Sequence, residues 1–490
     1  MSFTKMYGAS FWLVNAHLPQ VLLDQSLGKF PLVKFAQNQD GWCLGSLQIR
    51  DGKVARILPQ ISLIDVNEIN LNKNSSNLDL NQFSSEAVLP HQILELQDNT
   101  AILDLPIVDL QRRIVLPCFI DAHTHLDKGH IWEAAPNPRG TFDDAITAVV
   151  QAHQNSQLWH YESLYRRMEF GLQCSYAHGT QAIRTHLDCP DGITDLVLQA
   201  FTDLQAQWRD RMTLQPVSLT TLAAFMEPAG RHIADRLANL GGILGGVAYM
   251  NPQLEAELEN FFTLAASRGM DVDLHVDENG DPDSQVLDYV ARLVLRLRSR
   301  GQFTGNVVCG HCCSLAVQDS VTAAQTIQRV KEAEIGIISL PLCNLYLQDR
   351  TSVMGAPTTP FWRGVTRIHE LNQAGVPVAL ASDNCRDPFY GFGDHDLLQV
   401  LAWGSQIAHL DRPYGSWIKT VTQTPAELLQ MSHLGRFYEG MSADLVIFRG
   451  RTYSELFSRP ESAREIIRHG RFIERKLPDY RDLDDLLQLN

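Results

Sequence analysis

Two histidines separated by a single residue, His123 and His125, are the first side chains whose types and spacing could do chemistry together. In a strand, positions i and i+2 share a face, so both imidazoles could point at one ion. A lone His-x-His pair is weak evidence, because surface or capping histidines give the same pattern. The pair indicates a metal site only if other ligand-type residues accompany it.

Three apolar runs further along the chain end in residues that bind metals. His275 and His311 lie at the ends of two of these runs, Asp383 directly follows the third, and Glu278 lies three residues after His275. Each residue alone has an ordinary explanation, such as a hydrogen-bonded core histidine or an aspartate that caps a helix. Together with the histidine pair they favour a metal site. Imidazoles with one carboxylate suit Zn²⁺ or Fe²⁺, whereas Ca²⁺ and Mg²⁺ prefer all-oxygen shells.

Eight apolar runs alternate with helical patterns in the middle of the chain, and the candidate residues lie at the ends of these runs. The runs predicted as strands are 115–122, 182–186, 213–219, 245–249, 272–276, 306–311, 336–340 and 376–382. Strands that alternate with helices indicate parallel βα units of an α/β protein, and eight units predict a closed (β/α)8 barrel of the TIM type. Catalytic side chains of such barrels lie at the carboxyl ends of the strands.

The two ends of the chain have a different character from the middle. Short strands and turns precede a run rich in Asn and Ser at about 67–85, and strand-and-turn character returns after about Gly435. The Asn/Ser-rich run has little apolar surface and is typical of an exposed loop. We predict a small β-sandwich domain that combines residues 1–113 with 435–490, and a barrel of residues 114–434.

Bulk composition excludes several classes of protein. The formal net charge of −15 over 490 residues disfavours binding to phosphate backbones, so no nucleic acid is expected. No apolar stretch approaches the ~18 residues that cross a bilayer, so no membrane is expected either. The nine cysteines are interpreted as reduced thiols. We predict a cytoplasmic protein that acts on a small molecule. The sequence leaves open whether the protein forms a homo-oligomer.

The ordered set of motifs resembles the amidohydrolase superfamily, and within it the cytosine deaminase-like branch. Six segments carry the resemblance, namely residues 116–128, 184–188, 273–278, 310–312, 344–350 and 382–390. They cover the chain from the first predicted strand to beyond the eighth. The resemblance implies one divalent metal ion, Zn²⁺ or Fe²⁺, and hydrolytic deamination of a nitrogen heterocycle.

The resemblance also implies a role for each candidate residue. The metal ligands would be His123, His125, His275 and Asp383. Glu278 would carry a proton to a ring nitrogen, His311 would hold the attacking water and the transition state, and Asp383 would take a proton from that water. Binuclear members carry a carboxylated lysine at the end of strand 4. No lysine lies between Met212 and His275, which implies a single ion.

Some positions depart from cytosine deaminases, which recognise their base with a glutamine just beyond strand 3. Thr221 stands at that position, and a hydroxyl cannot present the paired donor and acceptor of an amide. Asn384 stands where those enzymes carry a second aspartate. The His-x-His-x-x-Lys form that ends at Lys128 resembles the N-alkylammelide hydrolases. Lys128 either faces the substrate, or is ion-paired with Asp127 or solvated in a loop. We predict that Lys128, Thr221, Asn384 and Arg386 bind the substrate.

Several functions remain open on these residues. The leading prediction is a cyclic amidine deaminase that acts on a cytosine-like or related nucleobase analogue. The alternatives are hydrolysis of an N-alkylamino-triazine of the ammelide type and ring opening of a cyclic amide or ureide. A protein that only binds a small molecule fits less well, because the full ligand set is accompanied by Glu278.

Overall fold

The computed structural model describes residues 10–24, 40–59, 105–353, 356–411 and 414–487. Contacts divide the chain into two compact units, which we call the β unit and the α/β unit. The β unit is formed by Met1–Cys118, Asp411–Gln423 and Ser432–Arg475, and the α/β unit by Phe119–Leu410, Thr424–Met431 and the segment from Lys476 onward, as far as each is described. The Asn/Ser-rich run predicted at about 67–85 lies outside the described residues.

The elements are numbered in chain order. The strands are β1 (Phe11–Pro19), β2 (Trp42–Arg50), β3 (Lys53–Pro59), β4 (Ile107–Asp109), β5 (Val115–Pro117), β6 (Phe119–Thr124), β7 (Thr180–Asp188), β8 (Thr213–Leu219), β9 (Leu244–Ala248), β10 (Val272–Val276), β11 (Val307–His311), β12 (Ile335–Ser339), β13 (Ser352–Val353), β14 (Ala356–Pro357), β15 (Val378–Leu380), β16 (Leu445–Ile447), β17 (Glu465–Arg468) and β18 (Arg471–Ile473). The helices are α1 (Phe142–His153), α2 (Tyr161–His178), α3 (Thr194–Trp208), α4 (Pro228–Asn239), α5 (Leu254–Arg268), α6 (Val286–Ser299), α7 (Ser320–Glu332), α8 (Pro341–Leu347), α9 (Ile368–Ala374), α10 (Leu397–Ile407), α11 (Tyr414–Trp417), α12 (Gln423–Leu428), α13 (Tyr453–Ser458) and α14 (Asp484–Leu487).

The described residues of the β unit include two four-stranded sheets, in the orders β3-β2-β1-β4 and β18-β17-β16-β5. The second sheet joins a strand from before the α/β unit to strands from near the end of the chain, because β5 pairs antiparallel with β16. A bridge between Lys53 and Ser442 adds a further link between the two ends. Both ends of the chain therefore contribute to the β unit.

Two predicted boundaries differ from the structure. The run 115–122 was predicted as one strand, but β5 belongs to the β unit and β6 begins a new strand at Phe119. The backbone N–H of Cys118 donates to Asp444, whereas that of Phe119 donates to Gly179, so the chain changes units between them. The segment from Lys476 was predicted in the sandwich. It clusters with the α/β unit instead, where Tyr480 packs on Phe170.

The α/β unit contains eight parallel strands in two hydrogen-bonded groups, β6-β7-β8 and β15-β12-β11-β10-β9. Bridges of Val217 with Ile243 and of Thr221 with Val247 join the β8 edge to the β9 edge. A bridge of Thr124 with Asp383 joins β6 to the residues after β15. The order of neighbouring strands is therefore cyclic. Each of the eight predicted runs overlaps one of these strands, because strands covered on both faces read as largely apolar runs.

Asp121 holds the first of these strands to the last. Its carboxylate accepts hydrogen bonds from the backbone N–H and the hydroxyl of Ser382, and burial raises its pKa to about 6. Next to it, the hydroxyl of Thr124 donates to the carbonyl oxygen of Asp383 over 2.8 Å. These bonds bring the His123–His125 pair beside Asp383.

No helix among the described residues is long and apolar enough to span a bilayer.

We expect Gly245→Ala to destabilise the junction between β8 and β9. A Cβ there would lie 2.5 Å from the carbonyl oxygen of Ser218 and 2.9 Å from that of Asp273, and backbone cannot yield as a side chain can. The expected loss is about 1–3 kcal/mol in the free energy of unfolding, measured by denaturant titration. Gly246→Ala on the same strand is the control, because its nearest neighbour is the flexible side chain of Leu222. Equal losses for both variants would contradict this account.

Candidate active site

Four side-chain atoms from three separated parts of the α/β unit converge on one point. The Nε2 of His275 lies 3.1 Å from that of His123 and 3.4 Å from that of His125. The Oδ1 of Asp383 lies 3.2 Å from His125 Nε2 and 3.6 Å from His123 Nε2. Four ligands placed about 2.0–2.1 Å from a central ion stand roughly 3.3 Å apart in tetrahedral geometry. The observed separations fit that arrangement.

The hydrogen bonding of Asp383 also fits a metal ligand. Its side chain is fully buried, yet within the described parts of the chain no N–H or O–H group donates to either carboxylate oxygen. A buried carboxylate without such donors is costly unless a cation compensates it. The chemistry of this donor set, three imidazole nitrogens and one carboxylate oxygen, suits a divalent transition metal.

Burial sets the protonation states of the four candidates. It lowers the pKa of His123, His125 and His275 well below the usual value, so these imidazoles are neutral, which is the form that coordinates metals. Burial also raises the pKa of Asp383 to about 7. An ionised Asp383 therefore needs a positive charge beside it, and a bound cation would supply that charge.

Unusual backbone conformations accompany two of the strand ends. His311 has φ 69° and Asp383 has φ 62°, both in the left-handed region that non-glycine residues avoid. Such residues cost about 1–3 kcal/mol each and tend to cluster at functional sites. His311 is the last residue of β11, and Asp383 follows the end of β15 at Leu380, so both turn the chain where the side chain meets the converging atoms. Neither conformation could be anticipated from the sequence.

Glu278 and His311 form a second pair beside the four converging atoms. The Nδ1 of His311 lies 3.2 Å from Glu278 Oε1, and the amide nitrogen of Asn344 lies 2.9 Å from the same ring nitrogen. Burial lowers the pKa of His311, but the carboxylates of Glu278 and Asp383 outweigh it and raise the pKa above its usual value. Its Nε2 has no partner among the described residues and is free to bind a water.

His186 packs directly against one of the ligand candidates. Its ring centroid lies 3.9 Å from that of His123, and its Nε2 lies 3.5 Å from Asp273 Oδ1. Asp273 in turn accepts a hydrogen bond from Arg184 over 2.8 Å. This position, in contact with the ring of His123, allows His186 to orient that ligand candidate.

A cavity of about 410 Å³ borders the converging side chains. Its lining includes His125, His275, Glu278 and His311. Three of the four predicted substrate-binding residues, Lys128, Thr221 and Asn384, also line it. Thr221 follows β8 and Asn384 follows Asp383, so the loops after strands deliver them. The cavity is thus where a substrate could meet the converging atoms.

Arg386 is the exception among the predicted substrate-binding residues. It does not line the cavity. Its guanidinium contacts the carboxylate of Glu133 and lies 4.6 Å from the ring centroid of Tyr480. Arg386 has φ 51°, and this left-handed turn follows directly after the residues that face the cavity. The structure therefore places the Arg386 side chain against Glu133 and Tyr480 and not beside the other three predicted residues.

Other cavity residues were missed by the sequence analysis. Asp188 ends β7 two positions after His186, so strand alternation alone could have placed it on the same face. Helix α1 presents an apolar face to the cavity through Phe142, Ile146, Val149 and Val150, and it adds His153. That helix lies inside the long connection after β6, where the alternation of strands and helices predicts a helix but does not give its residues.

Comparison with known proteins gives one consistent picture. A model of the amidohydrolase family matches residues 191–473, more than half of the chain. The pterin deaminase of Rhizobium rhizogenes (strain K84) is 45% identical over 79% of this chain and 87% of its own length. The N-isopropylammelide isopropyl amidohydrolase of Pseudomonas sp. (strain ADP) is 23% identical over 69% of this chain and 81% of its own length.

A solved structure shares the fold along nearly the whole chain. The 5-methylcytosine deaminase from Klebsiella pneumoniae superposes with a TM-score of 0.72 at 24% identity, covering 96% of this chain and 98% of that one. The comparisons confirm the predicted family and the predicted class of enzyme, a hydrolase acting on carbon–nitrogen bonds other than peptide bonds. The chain belongs to the amidohydrolase family.

Proposed function

We propose that this chain is a metal-dependent deaminase whose substrate is a 2-amino-substituted pteridine. The observation that carries the proposal is the convergence of three neutral imidazoles and Asp383 beside the Glu278–His311 pair. The amidohydrolase family supports the class of reaction. The relative that deaminates pterin, at 45% identity, supports the ring system.

The proposed ligands of one divalent ion are His123, His125, His275 and Asp383. When bound, such an ion lowers the pKa of a water from ~15.7 to about 7. Three nitrogen donors and one carboxylate suit Zn²⁺ or Fe²⁺. The absence of a lysine between Met212 and His275 supports a single ion.

The remaining steps are proton movements by the chain's own residues. Asp383 accepts the proton of the attacking water, and a carboxylate oxygen of Glu278 lies within 4.8 Å of one of Asp383. Glu278 donates a proton to the ring nitrogen next to the attacked carbon, while His311 Nε2 holds the developing oxygen anion. The proton of the hydroxyl added to the ring carbon goes to the amino group, and ammonia leaves as the ring carbonyl forms. Each such acid–base contribution is typically ~10²–10⁴-fold.

The size of the cavity supports a fused ring over a single one. A cavity of ~150 Å³ is enough for one benzene ring, whereas this cavity measures about 410 Å³. Its walls include Phe389 and the apolar face of α1, which suit a flat bicycle. Thr221 stands in place of the amide that cytosine deaminases use, which argues against cytosine itself.

Hydrolysis of an N-alkylamino-triazine is the second candidate. Lys128 lines the cavity, and the apolar residues of α1 could receive an alkyl leaving group. The relative that acts on N-isopropylammelide is less similar, at 23% identity. In that reaction an alkylamine would leave instead of ammonia, so the product separates the two candidates. Ring opening of a cyclic amide would release neither ammonia nor an alkylamine.

A substrate panel tests the proposed function. Enzyme loaded with Zn²⁺ or Fe²⁺ is assayed with pterin, cytosine, isoguanine, N-isopropylammelide and a cyclic ureide, with readouts for ammonia, isopropylamine and acid. We expect ammonia from pterin with kcat/KM of about 10⁴ M⁻¹s⁻¹ or more, and at least about 10²-fold less from cytosine. Isopropylamine as the main product would favour the second candidate. No ammonia from any amino-heterocycle would overturn the deaminase proposal.

We also propose a (β/α)8 barrel with a β-sandwich domain, and a cytoplasmic location. The cyclic order of eight parallel strands supports a closed (β/α)8 barrel, and the two sheets of the β unit support a β-sandwich. All nine cysteines are buried and none is bonded to another. Unpaired thiols suit the reducing cytoplasm.

A further inference from the structure

The cavity contains an ion pair that the reaction described above does not use. The ammonium Nζ of Lys128 lies 2.5 Å from Oδ1 of Asp188, and both side chains are almost fully buried. Both residues line the same cavity as His125, His275 and Glu278. Lys128 precedes α1 and Asp188 ends β7, so the pair joins two neighbouring loops.

Neighbouring groups fix the position of the pair. Asp127 accepts hydrogen bonds from the backbone N–H of Lys128 over 2.9 Å and of Asp188 over 2.6 Å. On the other side, Nε2 of His153 lies 3.1 Å from Oδ2 of Asp188. The pair is therefore held from the backbone and from α1, which pre-organises it for a ligand.

Both groups remain charged despite their burial. Burial lowers the pKa of Lys128, but Asp188 and Asp127 outweigh it and raise the pKa above the usual value. Burial raises the pKa of Asp188, but Lys128 and His153 outweigh it and lower the pKa to about 2. The cavity thus presents a fixed cation and a fixed anion next to each other.

Each member of the pair has hydrogen-bonding capacity to spare. An ammonium has three donors and a carboxylate has about four lone-pair sites, and their mutual bond uses one of each. A donor beside an acceptor is the pattern that an amide presents. The O and N of an amide lie about 2.3 Å apart, as standard bond lengths require, which is close to the spacing of this pair.

We propose that Lys128 and Asp188 together recognise a lactam edge of the substrate, a ring N–H beside a ring C=O. Lys128 Nζ donates to the carbonyl oxygen, and Asp188 accepts from the N–H. The pair supplies the donor and acceptor that Thr221 cannot supply. This inference rests on the proposed function, and it names the part of the heterocycle that the enzyme selects: a 4-oxo group with its neighbouring N–H.

A purely structural ion pair is the competing explanation. Removing two charges from water is expensive, and apolar residues of similar volume often replace a buried pair without loss of stability. A pair kept only for structure would gain nothing from bordering the cavity. A pair that binds a polar edge must border it, and a site built for such an edge discriminates strongly against analogues that lack it.

The test compares two substrates that differ only in the lactam edge. They are 2-amino-4-oxopteridine and 2-aminopteridine, which lacks the oxo group. We expect wild-type kcat/KM to favour the first by about 10³-fold or more. The variant Lys128→Met/Asp188→Leu removes both members of the pair together, and the carboxylate of Asp127 keeps its two backbone hydrogen-bond donors. We expect its preference to fall below about 10-fold.

A binding measurement separates recognition from turnover. Pteridin-4-one keeps the lactam edge but has no amino group to lose, and its Kd is measured by fluorescence titration of the metal-loaded enzyme. We expect the Kd to rise at least about 30-fold in the double variant, as the loss of hydrogen bonds to charged groups implies. Arg329→Met, which breaks a pair with Asp288 outside the cavity, is the control and should leave both ratios unchanged.

The outcomes distinguish this inference from the proposed function. If the wild-type enzyme deaminates pterin but prefers it over 2-aminopteridine by less than about 10-fold, the inference is overturned and the deaminase proposal stands. This result is obtained with the wild-type enzyme alone, so it does not depend on whether a variant folds. A double variant that keeps the full preference and the wild-type Kd would also overturn it. If no pteridine is deaminated, the proposed function fails, and the Kd for pteridin-4-one still shows whether the pair binds a lactam.

Discussion

Glu278→Gln is expected to lower kcat by about 10³-fold or more while one metal ion per chain stays bound. Glutamine has nearly the same shape, but its amide cannot shuttle a proton between the water and the ring nitrogen. Glu278 Oε1 lies 3.2 Å from His311 Nδ1 and is not one of the four converging atoms. The change should therefore spare the metal, and KM should move far less than kcat. Steady-state kinetics and elemental analysis of the same preparation give the two readouts.

Glu257→Gln is the matched control for that variant. Glu257 is a buried glutamate on α5 that accepts a hydrogen bond from Asn251 and does not line the cavity. Any loss of activity from exchanging a buried carboxylate for an amide in general would appear there. Full activity in Glu278→Gln would remove the proton-shuttle role, whereas loss of the metal would show that Glu278 holds the ion.

The site candidates could be named from the sequence because each ends a strand that is buried on both faces. Such strands appear as continuous apolar runs, so β10 and β11 were found, and with them His275 and His311. The position of each ligand candidate relative to its strand follows from strand alternation. Their distances do not follow, because they depend on hydrogen bonds such as those between Asp121 and Ser382, which are 261 residues apart.

The wrong strand boundary arises because one run of residues is divided between the β unit and the α/β unit. Residues 115–122 are all buried, and all except Asp121 are apolar, so nothing in their pattern marks the change from β5 to β6 at Cys118. The side chain of Arg386 contacts Glu133, and its backbone has a positive φ that residue type does not reveal. Long-range pairing and local backbone geometry were decisive in these two cases, and neither leaves a signal in residue type.

The partner of Lys128 was missed for a related reason. The sequence offered Asp127 as its partner because the two are adjacent, and adjacent side chains on a strand or loop point apart. The structure pairs Lys128 with Asp188, 60 residues away, and uses Asp127 to hold the backbone of both. Proximity in the sequence was a poor guide here, whereas the position of Asp188 at a strand end was a usable one.

His275→Ala is expected to remove most of the bound metal and, with it, the activity. His275 Nε2 contacts two of the other three ligand candidates, so its loss opens the centre of the arrangement. We expect the affinity for Zn²⁺ to fall at least about 10²-fold, as even outer-shell changes at metal sites cost 10–100-fold. The measurement is competition with a chromophoric chelator, with elemental analysis after gel filtration.

His130→Ala tests whether a second cluster contributes to the metal count. His130, Cys385 and His395 are buried and offer ligand atoms within 4.8 Å of one another. The ring centroids of the two histidines lie 5.6 Å apart, and burial raises the pKa of the Cys385 thiol well above its usual value, so the thiolate that metals bind is disfavoured. We therefore expect His130→Ala to retain one tightly bound ion per chain. If instead His130→Ala lost the ion and His275→Ala kept it with unchanged affinity, the metal centre would have to be reassigned to that cluster.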